Sequence, residues 1–239
     1  MRILAADTST TTGSVALLDG TRLVCEWTLL TAQTHNRRLL HTIDECLHAA
    51  GWAIEDVDLF AVTTGPGSFT GLRIGLTTVK TLAWALGKPF VGVPSPDALA
   101  APLGHASRPV YPLIDAHRKE VFWAPYAPDG EGGLHRTGAY SVSPIETVIA
   151  RMDGPALFCG DGWLTYHDVL EERLGEWAHG ASAVYHCIRA GFVGELAARQ
   201  FETGPRQDAL SSVPLYVRPS EAELKHPILH PRMVSDSVA

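Results

Sequence analysis

Apolar and polar residues alternate along the first hundred positions in a way that predicts a mixed α/β unit. Three apolar runs predict strands, over "RILAAD", "SVALL" and "TRLVCEWTLL", and the Asp19-Gly20 pair is a hairpin signal. Apolar residues at helical spacing predict a helix that begins near His35. A strand "VDLFAVTT", a helix from about Gly71 to Leu86 and a strand "PFVGV" follow, so the order is β-β-β-α-β-α with one more strand.

The same order of elements recurs loosely from about Arg108. The strand "VYPLID" ends in Asp115, as the first strand ends in Asp7. Further strands are predicted over "EVFWAPY", "LHRTGAYSV" and "PALFCG", and helices over "SPIETVIARM" with Ser143 as its cap, "DVLEERLGEW" and "CIRAGFVGELAARQF". We therefore predict an α/β protein with lobes at residues 1–103 and 104–218 and a loose tail at 219–239.

Composition narrows the possible partners and the compartment. The 239 residues carry 26 acidic and 19 basic side chains, a net charge of -7, which argues against a surface that holds a nucleic-acid backbone by itself. Four scattered cysteines without a CxxC pair argue against zinc and predict free thiols in a reducing cytosol. The first apolar run is too short for a signal peptide, and no apolar run approaches the roughly 20 residues that span a bilayer. We expect a cytoplasmic protein that does not enter a membrane.

The stretch "TTGPGSFTGLRIG" joins the fourth strand to the second helix. Glycines at such a junction let a ligand approach the backbone, and the helix N–H groups then face an anion. The candidate phosphate ligands here are Gly65, Gly67, Ser68, Thr70 and Gly71. Their GxGxxxG spacing is one residue longer than the dinucleotide motif, and neither GK[ST] nor GxSxG is present. The alternative is a tight turn that packs the helix against the sheet.

A second candidate anion element follows the first strand in "DTSTTTG". Asp7 with the hydroxyls of Thr8, Ser9 and Thr10 has the chemistry to hold a hydrated metal and phosphate oxygens, and Asp115 lies at the equivalent strand end. The alternative is a polar turn in which Asp7 bonds to nearby backbone. The second loop, "DAHRKE", has no glycine and is crowded with charge, so we expect at most weak ATP or ADP binding with magnesium.

Four stretches together resemble the bacterial TsaB family, also called YeaZ: "ILAADTSTTTGSVALLDG", "HNRRLLHTIDECLHAAG", "GPGSFTGLRIGLTTVKTLAWALGKPFVGVPS" and "PLYVRP". The resemblance implies the ASKHA fold, with two ribonuclease-H-like lobes. It also implies a role in making threonylcarbamoyladenosine in tRNA, as a non-catalytic partner of the paralogue TsaD and the ATPase TsaE, with tRNA reached only through that complex. An older label groups both paralogues as M22 glycoprotease-like proteins.

The metal-binding pattern of TsaD-type proteins distinguishes them from TsaB-type proteins. TsaD-type proteins carry HxxxH on a helix of the fold, whereas the HxxxH of this chain, His226 to His230, lies in the proline-rich tail with Pro227 after the first histidine. His35 and His41 are six residues apart and would face different sides of a helix. We therefore predict neither a metal site nor a catalytic residue in this chain.

A partner protein would need an unpaired surface, and the second helix offers one. Besides its core stripe, Ile74, Thr77, Thr81 and Trp84 form a second uncharged stripe at helical spacing. In the first helix Leu39 and Cys46 project beside the core stripe, and Arg38 and Arg73 are candidate rim residues. Burial by the second lobe is the alternative; we favour a helix bundle, in a homodimer or a TsaD heterodimer. The competing function is a stand-alone ASKHA phosphotransferase or an M22-type peptidase.

Overall fold

The computed structural model describes residues 1–30, 38–205 and 207–218. The first half contains these elements: β1 (Arg2–Asp7), β2 (Thr12–Asp19), β3 (Arg22–Leu30), α1 (Leu39–Ala50), β4 (Leu59–Gly65), α2 (Phe69–Ala85), β5 (Phe90–Pro94) and α3 (Ser95–Ala100). The second half contains these: β6 (Val110–Asp115), β7 (Glu120–Trp123), β8 (Tyr126–Pro128), β9 (Leu134–Arg136), β10 (Ser141–Pro144), α4 (Ile145–Ala150), β11 (Ala156–Cys159), α5 (Asp161–Leu174), β12 (Ala178–Gly180) and α6 (Ala190–Thr203).

The first sheet has the strand order β3-β2-β1-β4-β5. β1 pairs antiparallel with β2 and parallel with β4, so both edges of this central strand are hydrogen-bonded. Its residues from Ile3 to Ala6 are wholly buried. That burial explains why "RILAAD" reads as a continuous apolar run and not as an alternating one.

The second sheet repeats this plan in the order β10-β7-β6-β11-β12, with β6 antiparallel to β7 and parallel to β11. The predicted repeat is therefore confirmed. Two details differ. The segment "LHRTGAYSV", predicted as one strand, contributes to β9 and β10. Ser143 does not cap α4, because it lies in β10 and its Oγ accepts a hydrogen bond from Nε1 of Trp123 at 2.9 Å. Pro144 occupies the cap position instead.

Helix α6 comes from the second half of the chain but packs against the first sheet. A Cβ added to Gly194 would lie 2.4 Å from Cδ1 of Leu18, so this helix and strand β2 are in close contact. The helix start is held from the same sheet, because Ala190 N donates to Ser14 Oγ at 2.9 Å and Gly191 N donates to Glu26 Oε1 at 2.8 Å. The predicted lobe boundary at 103/104 stays a prediction, and α6, which belongs to the predicted second lobe, packs on the sheet of the first.

Helices α1 and α2 cover the opposite face of the first sheet. Their inward residues share one buried cluster with β1, β2 and β4, which includes Leu4, Val15, Ile43, Val62 and Val79. The described part of α1 begins at Leu39, and His35 lies outside the described residues, as does the His226–His230 pair. Within the described ranges, no helix combines the length and apolar character needed to cross a membrane.

Candidate functional site

The glycine-rich turn leads from β4 into α2, and α2 begins at Phe69, two residues earlier than predicted. Ser68 is the N-cap residue, and its Oγ accepts a hydrogen bond from Gly71 N at 3.2 Å. Gly65 has a φ of 112°, a conformation that favours glycine over other residues. A local cap and a glycine-dependent bend thus shape the start of the helix.

Three glycines, at positions 67, 71 and 75, pack directly against the turn between β1 and β2. An added Cβ would lie 2.3 Å from Ser9 O at Gly67, 2.0 Å from Thr8 O at Gly71 and 2.2 Å from Thr8 Oγ1 at Gly75. Hydrogen bonds fasten the same contact, because Ser68 N donates to Ser9 O at 2.7 Å and Thr8 Oγ1 donates to Gly71 O at 2.7 Å. The two predicted anion elements therefore pack against each other, and their role in phosphate binding stays a prediction.

Asp7 lies beneath this contact and is wholly buried. Its Oδ1 accepts hydrogen bonds from Ser9 N at 3.0 Å, Ser9 Oγ at 2.6 Å and Thr63 Oγ1 at 2.6 Å. Thr8 and Ser9 are buried with it, and the half-buried Thr10 accepts a hydrogen bond from Thr12 N at 3.2 Å. These partners make Asp7 the organiser of a polar turn. Ser68 and Thr70, by contrast, are exposed.

Asp115 belongs to a different cluster, at the end of β6. Its Oδ1 accepts a hydrogen bond from His117 N at 2.8 Å, and its own N–H donates to Oδ1 of Asp161 at 2.9 Å. Burial raises the pKa of Asp161 to about 6; the hydrogen bond from Asp115 N opposes this rise, and the charge of the Asp115 carboxylate adds to it. The sequence analysis missed Asp161; an acid in the first turn of a helix that directly follows a strand was the available signal.

A pocket of about 310 Å³ opens beside Asp7, between the first three strands and the start of α1. Trp27 and Leu29 supply apolar wall, while Arg38 and His41 supply polar wall. Arg38, which was predicted at the rim of a partner interface, thus also lines a cavity. Sequence reasoning missed this pocket because its walls come from three strands and a helix.

The outer face of α2 is the predicted partner surface. Trp84 is 61% exposed, Thr77 and Thr81 are exposed, and Ile74 is half-buried. The burial alternative therefore does not hold for Trp84. Arg73 is also exposed, and its Nε donates to the hydroxyl of Tyr216 at 3.1 Å.

Two residues predicted on the partner surface of α1 are placed elsewhere. Leu39 is 5% exposed and Cys46 is wholly buried, and both pack in the cluster beneath α1. The prediction was wrong for these two positions because the buried face of α1 is rotated toward them and consists of Leu39, Ile43, Cys46 and Leu47. Leu40, the neighbour of Leu39, faces outward and is 57% exposed.

The arrangement of the two sheets defines the general class of this protein. Each sheet begins with three antiparallel strands and continues with two parallel ones in the same spatial order, and helices cover the faces. This is the architecture of the actin/Hsp70-like ATPase, or ASKHA, fold, as predicted. A solved structure of the (R)-2-hydroxyglutaryl-CoA dehydratase component A from Acidaminococcus fermentans shares the fold, with a TM-score of 0.51 at 11% identity over 85% of this chain and 100% of that one. In the ranges that the model describes, no three His, Cys, Asp or Glu side chains are grouped to hold a metal ion.

Sequence and structure comparisons narrow this class to one family. A family model described as "TsaD: tRNA N6-adenosine threonylcarbamoyltransferase" matches residues 29–225. The chain is 31% identical to the tRNA threonylcarbamoyladenosine biosynthesis protein TsaB of Bacillus subtilis, over 94% of this chain and 97% of that protein. It is 36% identical to TsaB of Escherichia coli, over 72% of this chain and 76% of that protein. The structure of YeaZ from Pseudomonas aeruginosa matches with a TM-score of 0.78 at 32% identity, over 90% of this chain and 99% of that one. The chain belongs to the TsaB family.

Proposed function

We propose that this chain is a non-catalytic subunit of the machinery that makes N6-threonylcarbamoyladenosine in tRNA. The family membership supports this role, because the relatives described above carry the name tRNA threonylcarbamoyladenosine biosynthesis protein. In this proposal a TsaD-type paralogue performs the transfer, a TsaE-type ATPase joins the pair, and tRNA is bound only through the complex. The proposed location is the cytoplasm.

The exposed indole of Trp84 is the observation that carries the pairing role. Trp84 lies on one face of α2 with Ile74, Thr77 and Thr81. Covering a large exposed apolar side chain is favourable, and tryptophan is enriched among the residues that dominate binding energies. The two threonines are small, so a partner helix can approach α2 closely. We therefore assign this face to the partner, and to a second copy of the chain when no paralogue is present.

The contacts of the glycine-rich turn support the non-catalytic part of the proposal. Here the backbone of Thr8 and Ser9 lies so close to the turn that not even a Cβ fits at Gly67 or Gly71. These glycines are thus engaged by contacts within the protein, which supports our expectation that any ATP or ADP binding is weak.

Purified protein mixed with its TsaD-type paralogue tests the proposal, with light scattering after size-exclusion chromatography as the readout. We expect a complex for the wild type and for Trp177→Arg, because Trp177 is an exposed tryptophan in the second half of the chain, 43% exposed. Trp84→Arg is expected to abolish the complex, since it places a charge on the covered face. The proposal fails if the wild type forms no complex at micromolar concentration, or if Trp84→Arg assembles as well as the wild type.

Two further measurements separate this role from the stand-alone phosphotransferase. The mass of the protein alone is expected to be that of a dimer, and Trp84→Arg is expected to reduce it to a monomer. Calorimetric titration with ATP and magnesium is expected to show weak binding or none. Tight binding that disappears in Asp7→Ala would support the phosphotransferase instead.

A further inference from the structure

The segment of residues 207–218, here named the C-terminal strap, runs along the edge of the first sheet and beside α2. Oε1 of Gln207 accepts a hydrogen bond from Gly92 N at 2.8 Å. Lys80 Nζ donates to Ser212 O at 3.2 Å, and Leu215 N donates to Thr64 O at 2.8 Å. The strap is therefore fastened at several points by side-chain and backbone bonds, and it lies beside the face that we assign to a partner.

Tyr216 of the strap holds an arginine of α2 in place. Its ring stacks on Phe69 with 5.4 Å between the centroids. The guanidinium of Arg73 lies 3.9 Å from the centre of the Phe69 ring, and its Nε donates to the Tyr216 hydroxyl at 3.1 Å. All three side chains are exposed. An aromatic ring and a hydroxyl thus fix the plane of the guanidinium at the surface, which reduces the entropy lost when this side chain binds a ligand.

The charge around Arg73 indicates what kind of group it meets. Helix α2 carries Arg73 and Lys80 and no acidic residue, in a chain whose net charge is -7. Lys80 already donates to the strap. With its Nε given to Tyr216, the guanidinium keeps its two Nη groups, whose planar fork matches a carboxylate with two parallel hydrogen bonds. The complementary group on an approaching protein is therefore an Asp or Glu side chain.

We propose that Arg73, positioned by Tyr216 of the C-terminal strap, forms a bidentate ion pair with a carboxylate of the protein that docks on α2. This inference rests on the proposed function, because it concerns the same face and the same partner, the TsaD-type paralogue. Tyr216 acts as a positioning residue: its hydroxyl sets the direction of the fork, and the carboxylate contacts Arg73. The strap thereby makes the docking face a joint product of α2 and a segment more than 120 residues later in the chain.

Affinity measurements at two salt concentrations test this role, with calorimetry or surface plasmon resonance on the full chain and the paralogue. Arg73→Ala is expected to weaken binding about tenfold, the value of one charge-assisted hydrogen-bonded pair, and to reduce the salt dependence of the affinity. Tyr216→Phe keeps the ring and loses only the hydroxyl that orients Arg73, so a smaller loss of about threefold is expected, because the charge of Arg73 remains. In the Arg73→Ala background Tyr216→Phe is expected to add nothing.

Matched controls separate positioning from folding. Arg199→Ala removes an exposed cation from α6, where Arg199 pairs with Glu195, and is expected to leave the affinity unchanged. The melting temperatures of Arg73→Ala and Tyr216→Phe are expected to equal that of the wild type. If the wild type binds and Arg73→Ala binds equally with the same salt dependence, this inference is overturned while the proposed function stands. If Tyr216→Phe weakens binding as much with Arg73 absent as with it present, the positioning role is overturned. If the wild type binds no paralogue, this inference and the proposed function are both overturned.

Discussion

A single methyl group placed at Gly71 is expected to destabilise the whole protein. The added Cβ would lie 2.0 Å from the main-chain oxygen of Thr8, and a backbone atom in a buried turn has little room to move. Overpacking of a tight core typically costs about 1–3 kcal/mol, and the backbone contact puts this case at about 3 kcal/mol. The higher helix propensity of alanine offsets at most about 1 kcal/mol of this destabilisation. The expected net loss of about 2 kcal/mol corresponds to a fall of about 4–8 °C in Tm for a chain of this length.

A rescue experiment makes this reasoning specific to the contact. At Gly75 the obstacle is the side-chain Oγ1 of Thr8 at 2.2 Å, so Gly75→Ala forces that hydroxyl away from Gly71 O and is expected to cost about 1 kcal/mol. Thr8→Ala removes Oγ1. In that background Gly75→Ala is expected to cost nothing further, whereas Gly71→Ala still costs about 2 kcal/mol.

Urea unfolding followed by circular dichroism measures these differences. Gly154→Ala is the control, because an added Cβ there meets no atom within 4 Å. The packing account of the turn would be refuted if Gly71→Ala unfolded at the same urea concentration as Gly154→Ala, or if Thr8→Ala rescued Gly71→Ala and Gly75→Ala equally.

Two further predictions concern residues that the structure placed or revealed. Leu39→Ala is expected to lower the unfolding free energy by about 2–4 kcal/mol, as for a truncated core leucine, whereas Leu40→Ala, at an exposed position, changes it by about 0.5 kcal/mol or less; equal losses in urea unfolding would contradict the assigned burial. The pKa of Asp161 rises from 3.8 in the unfolded chain to about 6 in the folded protein. Protonation of Asp161 therefore stabilises the folded protein below pH 3.8, and this stabilisation is lost as the pH rises from 3.8 to about 6. Asp161→Asn is expected to flatten that decline in unfolding free energy and to be the more stable protein at pH 7; parallel curves for variant and wild type would exclude the effect.

The order of the elements could be predicted from the chain because it depends on local periodicity. The first strand is a short apolar run ending in Asp7, and the helix after the glycine turn has apolar residues every three or four positions. These patterns recur loosely after Arg108, and so the repeated order of strands and helices along the chain was foreseeable, whereas the two-lobed fold was implied by the family resemblance. The motif "GPGSFTGLRIG" also indicated the family, since it joins a particular bend to a particular helix start.

The contacts between distant segments could not be predicted in the same way. Gly71 is a glycine because of Thr8, which is 63 residues earlier, and nothing in the spacing of the turn shows that neighbour. Both apolar stripes of α1 were visible in the sequence, but only the sheet decided that Leu39 and Cys46 are covered while Leu40 is left outside. Periodicity determines which faces of a helix are apolar, whereas the tertiary structure determines which of these faces is buried against the sheet. For this reason the sequence by itself gave the repeated order of elements and the family. Only the tertiary structure decided that the glycine-rich turn packs against the turn between β1 and β2, and that the α2 face with Trp84 remains exposed.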